Sequence, residues 1–149
     1  MPGGYVIDQT RSMVLSRAWG VLEDSELLAH VRALAADPSF APHLNQIADF
    51  GDVTEFQETS AVIRELVTLS PFGTGSRRAI VMRADVGFGL ARMFEIMRDP
   101  SPDEIHVFRD LDAALQWLGF AREKQAVLSA LAEVRAMFAD DTDPPARAH

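Results

Sequence analysis

The stretch Gln46–Val67, QIADFGDVTEFQETSAVIRELV, decides how the chain is read. Leu44 to Phe50, with the acid Asp49 next to its end, reads as a buried strand, with Gly51 and Asp52 as the turn after it. Thr54-x-x-Gln57 then matches a capping box, in which Thr54 accepts from the third helical amide and Gln57 reaches back. The helix so predicted runs to about Leu69 and sets Phe56, Val62, Ile63, Leu66, Val67 and Leu69 on one face. Thr59 falls inside that apolar arc and Ser60 at its edge. A strand that runs straight into a helix is the unit from which parallel sheets are built, so the flanking segments settle the class.

Upstream, Tyr5 to Gln9 and Ser12 to Trp19 read as two short strands around a tight connection, with Gly20 breaking the second. Met13, Leu15 and Arg17 fall on one side of that second strand, and Val14, Ser16 and Ala18 on the other. Asp24 or Ser25 caps a helix through about Ala36, with Leu27, Leu28, Val31 and Leu34 as its stripe. Downstream, Arg78 to Arg83 is a strand buried on both faces, Val86 to Arg98 a helix, and Ile105 to Phe108 a further strand. Asp110 caps a helix from Leu111 to Leu118, closed by Gly119, and a last helix covers about Glu123 to Phe138. The class is a mixed α/β sandwich: a mostly parallel sheet with an antiparallel N-terminal strand, helices packed on it, and an extra C-terminal helix. One domain over residues 1–138 is expected, its last helix spanning 123–138, and the acidic stretch 139–149 reads as disordered.

Composition narrows the chemistry. The 149 residues carry a formal charge of −8, which disfavours a general nucleic-acid binder, because phosphate neutralisation needs clustered lysine and arginine. Without cysteine there is neither thiol chemistry nor a cysteine zinc site. His30, His43, His106 and His149 show no metal-ligand spacing, and no Gly-x-Ser-x-Gly elbow is present. The segment MPGGYVIDQTRSMVL lacks the layout of a signal peptide, and charges interrupt every apolar run before it could span a bilayer. A soluble, cytoplasmic protein without a membrane span, a metal or another cofactor is expected.

Five stretches in order carry a resemblance: ADPSFAP after the first helix, ADFGDV, RRAIV, GLARMFEIM and VFRDLDAALQWLG. From Tyr5 to Gly119 the chain resembles the SpoIIAA-like branch of the STAS superfamily, the sulfate transporter and anti-sigma factor antagonist domains. The resemblance implies a bacterial regulatory domain that binds another protein, such as a regulatory kinase or anti-sigma-type partner, or a small ligand, and is not catalytic. Relatives carry a phosphorylatable serine in an Asp-Ser-Ser-Gly turn before the second helix. Aligned on Asp49, that motif falls on Gln57, Glu58, Thr59 and Ser60, so Thr59 holds the modified position while the motif's acid and glycine are missing. The resemblance makes Thr59 and Ser60 the candidate phosphosites, and Asp49, Asp52, Thr54, Gln57 and Glu58 the candidate interaction corner. The residues themselves favour a capped helix with Thr59 turned inward, since a dianionic phosphate is costly to bury.

A rival reading is a small-ligand carrier or sensor. Arg77, Arg78, Arg83 and Arg92 surround the fourth strand and the helix entry DVGFGLAR, where amides and guanidiniums together could hold an anion. Asp85 is a candidate cap at that entry. Phe88, Met93 and Met97 of GFGLARMFEIM supply apolar surface beyond one packing face, and the lipid-carrying Sec14-type domains share this fold style. Val127, Leu131, Val134 and Phe138 form a stripe that either covers the sheet or docks on a second subunit, as a homodimer would.

Overall fold

The computed structural model describes residues 3–57 and 60–138. A five-stranded sheet has the order β1-β2-β3-β4-β5, with β1 (Gly3–Asp8) antiparallel to β2 (Met13–Glu23). The remaining strands, β3 (Asn45–Gln57), β4 (Arg77–Val81) and β5 (Glu104–Phe108), continue in parallel. Helices α1 (Asp24–Ala36), α2 (Ser60–Leu69) and α3 (Asp85–Met97) are the crossovers, and α4 (Leu111–Leu118) and α5 (Lys124–Phe138) follow β5.

Strand alternation sorts two apolar layers. Met13, Leu15, Ile47, Ala79 and Val81 pack beneath Leu111, Leu115 and Leu118 of α4 and Val127 and Leu131 of α5. Ala48, Ile80 and Met82 face the opposite way, toward Val62, Ile63 and Leu66 of α2 and Ala91 and Phe94 of α3. The stripe of the last helix is therefore used on this chain's own sheet, and the Phe138 ring occupies the space that a Cβ of Gly4 would need. α4 is built as its residues dictate: Asp110 accepts from the Ala113 amide at 2.8 Å, and Gly119 closes the helix at φ 85°.

The quoted stretch is where expectation and structure part. Gly51 and Asp52 form no turn, and Thr54 and Gln57 form no capping box; all four lie in β3, which runs on to Gln57. β2 likewise passes through Gly20 rather than stopping there. Gly20 adopts φ 69°, and the pairing register shifts between Arg17 and Trp19 and again between Gly20 and Val21. These irregularities absorb the glycine without ending the strand, so Leu22 still pairs with Phe56 and Glu23 with Gln57. Because β4 pairs with β3 only from Gln46 to Asp49, the ends of β2 and β3 project together beyond the rest of the sheet. Phe56 belongs to this overhang rather than to a helix face, and α2 starts at Ser60. Two caps also differ from expectation. Glu23 caps α1, its amide donating to Glu26 at 3.2 Å, and Ala84 rather than Asp85 precedes α3. Residues 139–149 lie outside the described residues.

Candidate functional site

Between the sheet and the α1–α3 layer lies a cavity of about 100 Å³. Its walls are apolar: Leu27 and Val31 of α1, Ile63 and Leu66 of α2, Leu90, Ala91 and Phe94 of α3, and Ala48, Ile80 and Met82 of the sheet. Leu22, Phe50 and Phe56 also line it. Two features leave the space open. Ala48 and Ala91 lack the bulk to fill it, and on α1 only Leu34 is fully buried, its other stripe residues being half-buried. A second void of about 30 Å³ shares Ser16, Leu22, Leu27, His30 and Phe50 with the first and extends toward Gly3 and Gly4.

A polar chain crosses this apolar space, and strand register puts it there. Gln46 pairs with Arg78 across β3 and β4, while Val14 pairs with Gln46, leaving Ser16 diagonally adjacent on the same face. Arg78 Nε donates to Gln46 Oε1 at 3.0 Å, Gln46 Nε2 donates to Ser16 Oγ at 3.0 Å, and Ser16 Oγ lies 3.1 Å from His30 Nε2. Ser16 Oγ, which accepts from Gln46, either donates to His30 Nε2 or accepts from it, according to which ring nitrogen carries the proton. Tyr5 sets its ring edge on His30 and donates its hydroxyl to Asp37 at 2.7 Å, tying β1 to the end of α1.

Arg78 is also anchored from below. Its Nη1 donates to Ser70 Oγ at 3.0 Å and to Asp103 Oδ2 at 3.2 Å, and the Phe72 ring lies 4.2 Å from its guanidinium carbon. Asp103, fully buried in its side chain, accepts at its other oxygen from Arg98 at 2.9 Å. Arg98 further donates to the carbonyls of Val67 and Phe72. Burial lowers the Arg78 pKa to about 10, opposed by Asp103 and assisted by the like charge of Arg98.

His30 is held neutral. Burial, followed by the charge of Arg78, lowers its pKa to about 4. An unfolded histidine titrates near ~6.5, so between those values the unfolded chain binds the extra proton. This contribution to stability is complete above the unfolded pKa and is lost as the pH falls toward the folded one. The urea midpoint is expected to drop between pH 7 and about pH 4.5, and to drop less in His30→Gln. Equal drops in both proteins would assign the acid sensitivity elsewhere.

The residues singled out from sequence are distributed over several places. Arg78 lines the cavity, but its neighbour Arg77 points to the opposite face, over the Trp117 ring at 4.2 Å and toward Glu104. Arg92 is exposed and paired with Glu95. The Arg83 guanidinium lies near Gly51, where a Cβ would come within 3.2 Å of its carbon and 3.0 Å of Asp49 Oδ1. The four arginines therefore do not converge on one anion. Phe88 stacks with Arg109 at 4.0 Å, Met93 is half-buried beside the α2–α3 core, and Met97 is exposed; Leu90, Ala91 and Phe94 line the cavity instead.

Asp49 is buried in β3 and accepts from the Gly51 amide at 2.9 Å. Asp52 forms a buried ion pair with Arg17 at 2.7 Å. Thr54 and Gln57 are exposed on the overhang, Ser60 is exposed at the start of α2, and Glu58 and Thr59 lie outside the described residues. The reading from sequence missed Ser16, His30, Gln46, Arg98 and Asp103. A visible signal existed for Ser16, a polar residue on the Val14–Ala18 face of a strand otherwise fit for burial.

The sheet order, the antiparallel edge and the helix placement define a SpoIIAA-like α/β domain. A solved structure of an uncharacterized protein from the DUF3478 family with a SpoIIAA-like fold, from Shewanella loihica PV-4, is similar at a TM-score of 0.50. The two share 17% identity, over 78% of this chain and 93% of that one. No family model and no curated protein matches the chain. Among the described residues no helix is long and apolar enough to cross a membrane.

Proposed function

We propose that this chain is a non-catalytic STAS-like domain that binds a small molecule between its sheet and the α1–α3 layer. The observation that carries the reading is the cavity itself, apolar in its walls and crossed by one polar chain with a buried arginine, the composition of a ligand pocket. The Ser16–His30 contact has the distance of a nucleophile and its base, yet its chemistry is unsuited to that role. A base should titrate near the working pH, whereas His30 is held at about 4, and Ser16 Oγ already accepts from Gln46. The pair therefore serves to place polar groups in the cavity.

The test is an amide chemical-shift titration with a panel of small alcohols, amides and acids, repeated on Ala91→Leu, which puts bulk into the space. Shifts centred on Ala48, Ile80 and Ala91 that weaken at least tenfold in the variant are expected. A panel without such shifts, or shifts that persist in Ala91→Leu, would remove the reading.

A second reading is regulation through a partner protein at the entry to α2, favoured by the exposure of Thr54, Gln57 and Ser60 there. Incubation with the native cell extract and ATP is expected to modify Ser60 or Thr59. Phosphate found only elsewhere, or none, counts against this role.

A further inference from the structure

The cavity carries a charge that it does not neutralise. Two guanidiniums, Arg78 and Arg98, share the single carboxylate of Asp103. Among the described residues no acidic side chain lines the main cavity. Arg78 uses Nε on Gln46 and Nη1 on Ser70 and Asp103, and its Nη2, which keeps some accessible surface, has no acceptor among the described residues. His30 adds no charge near neutrality, and Ser70 Oγ, accepting from Arg78, keeps its own hydrogen to donate. A buried cation with spare donors, inside walls that otherwise offer only hydrocarbon, is complemented by one negative charge attached to an apolar body.

We propose, resting on the ligand-binding reading above, that the occupant is a short aliphatic monocarboxylic acid bound as its anion. The carboxylate sits against Arg78 and Ser70, and the alkyl part against Ala48, Ile80 and Ala91. Charge count selects the carboxylate. Two positive side chains and one negative leave a single surplus charge, which a monoanion cancels, whereas a phosphate dianion would bring an uncompensated charge into the apolar space. Volume selects the length. A cavity of about 150 Å³ takes benzene, with its six carbons, so about 100 Å³ suits a molecule of roughly four to five non-hydrogen atoms, such as acetate or propionate.

The experiment is calorimetric and chemical-shift titration of the full chain with propionate, with propionamide as its neutral counterpart, and with inorganic phosphate, each repeated on Ala91→Leu. Propionate is expected to bind at least tenfold more tightly than propionamide and tenfold more tightly than phosphate, and to lose tenfold or more in Ala91→Leu. Propionamide binding as well as propionate overturns the acid and leaves the cavity reading standing. Phosphate equalling propionate overturns the apolar requirement. Silence from all three probes, with the wider panel also silent, removes both proposals. Ala91→Leu keeps Arg78 and its partners intact, so the result does not depend on a variant that breaks the buried ion pair.

Discussion

Asp103→Asn is expected to cost on the order of 3–5 kcal/mol of folding stability, a large share of the margin of a domain this size. The carboxylate is fully buried in its side chain, and its two oxygens receive Arg78 at 3.2 Å and Arg98 at 2.9 Å. An amide in its place leaves two guanidiniums side by side with no counter-charge and one acceptor fewer. Burial alone would raise the pKa of Asp103, but Arg78, Arg98 and the hydrogen bonds outweigh it and hold the group below the usual carboxylate range. The sign follows from that direction. The contribution is present above the unfolded carboxylate pKa and is lost as the pH falls through the lower folded value. Urea unfolding of both proteins from neutral to acid pH measures the effect. A cost below about 1 kcal/mol would mean that solvent reaches this cluster and screens it.

Trp19→Ala is the second large effect, at about 3–5 kcal/mol. Trp19 is fully buried on β2, beside the first register shift, and the Arg135 guanidinium of α5 lies 4.3 Å from its ring. Arg17, two residues earlier, donates to the Leu131 carbonyl and to Asp52. Removing the indole takes away the surface against which that end of α5 packs. Trp19→Phe, which keeps a ring, is expected to lose less than half as much in a chemical denaturation experiment. Equal losses for the two variants would show that ring volume is not what the position requires.

What could be read in advance follows from how local each determinant is. α4 was legible residue by residue, because Asp110 and Gly119 act on their own helix and need no distant partner. The cores of β2 and β4 showed in their alternation and apolar runs. The run from Gly51 to Gln57 was misread because a glycine and a Thr-x-x-Gln spacing resemble punctuation, whereas the continuing register with β2 overrides both. Gly51 itself has a reason to lie in a strand, since the Arg83 guanidinium needs the room a side chain would take.

Arg78 was expected beside Arg77, Arg83 and Arg92 around one anion, and it lines the cavity without them, because Arg77 and Arg78 are neighbours in the chain but on opposite faces of a strand. Its partners Gln46, Ser70 and Asp103 are tertiary neighbours, and no spacing in the chain connects them. The SpoIIAA-like fold, in contrast, rested on several short stretches in order, which survive such local misreadings.

The strand order has a consequence for where any ligand can bind. From β2 to β5 each crossover steps to the next position in the same direction. Doubly wound sheets reverse direction at one point, and the helices diverging there open a crevice at the carboxyl ends of the strands, where nucleotides settle. A sheet that never reverses has no such switch point, so its adjacent loops are not drawn apart. Room for a guest has to come from imperfect filling between layers, and in this chain that room is set by the alanines at 48 and 91. On the ligand-binding proposal, selectivity would rest on core side chains, and variation at those two positions would alter the guest without changing the loops at all.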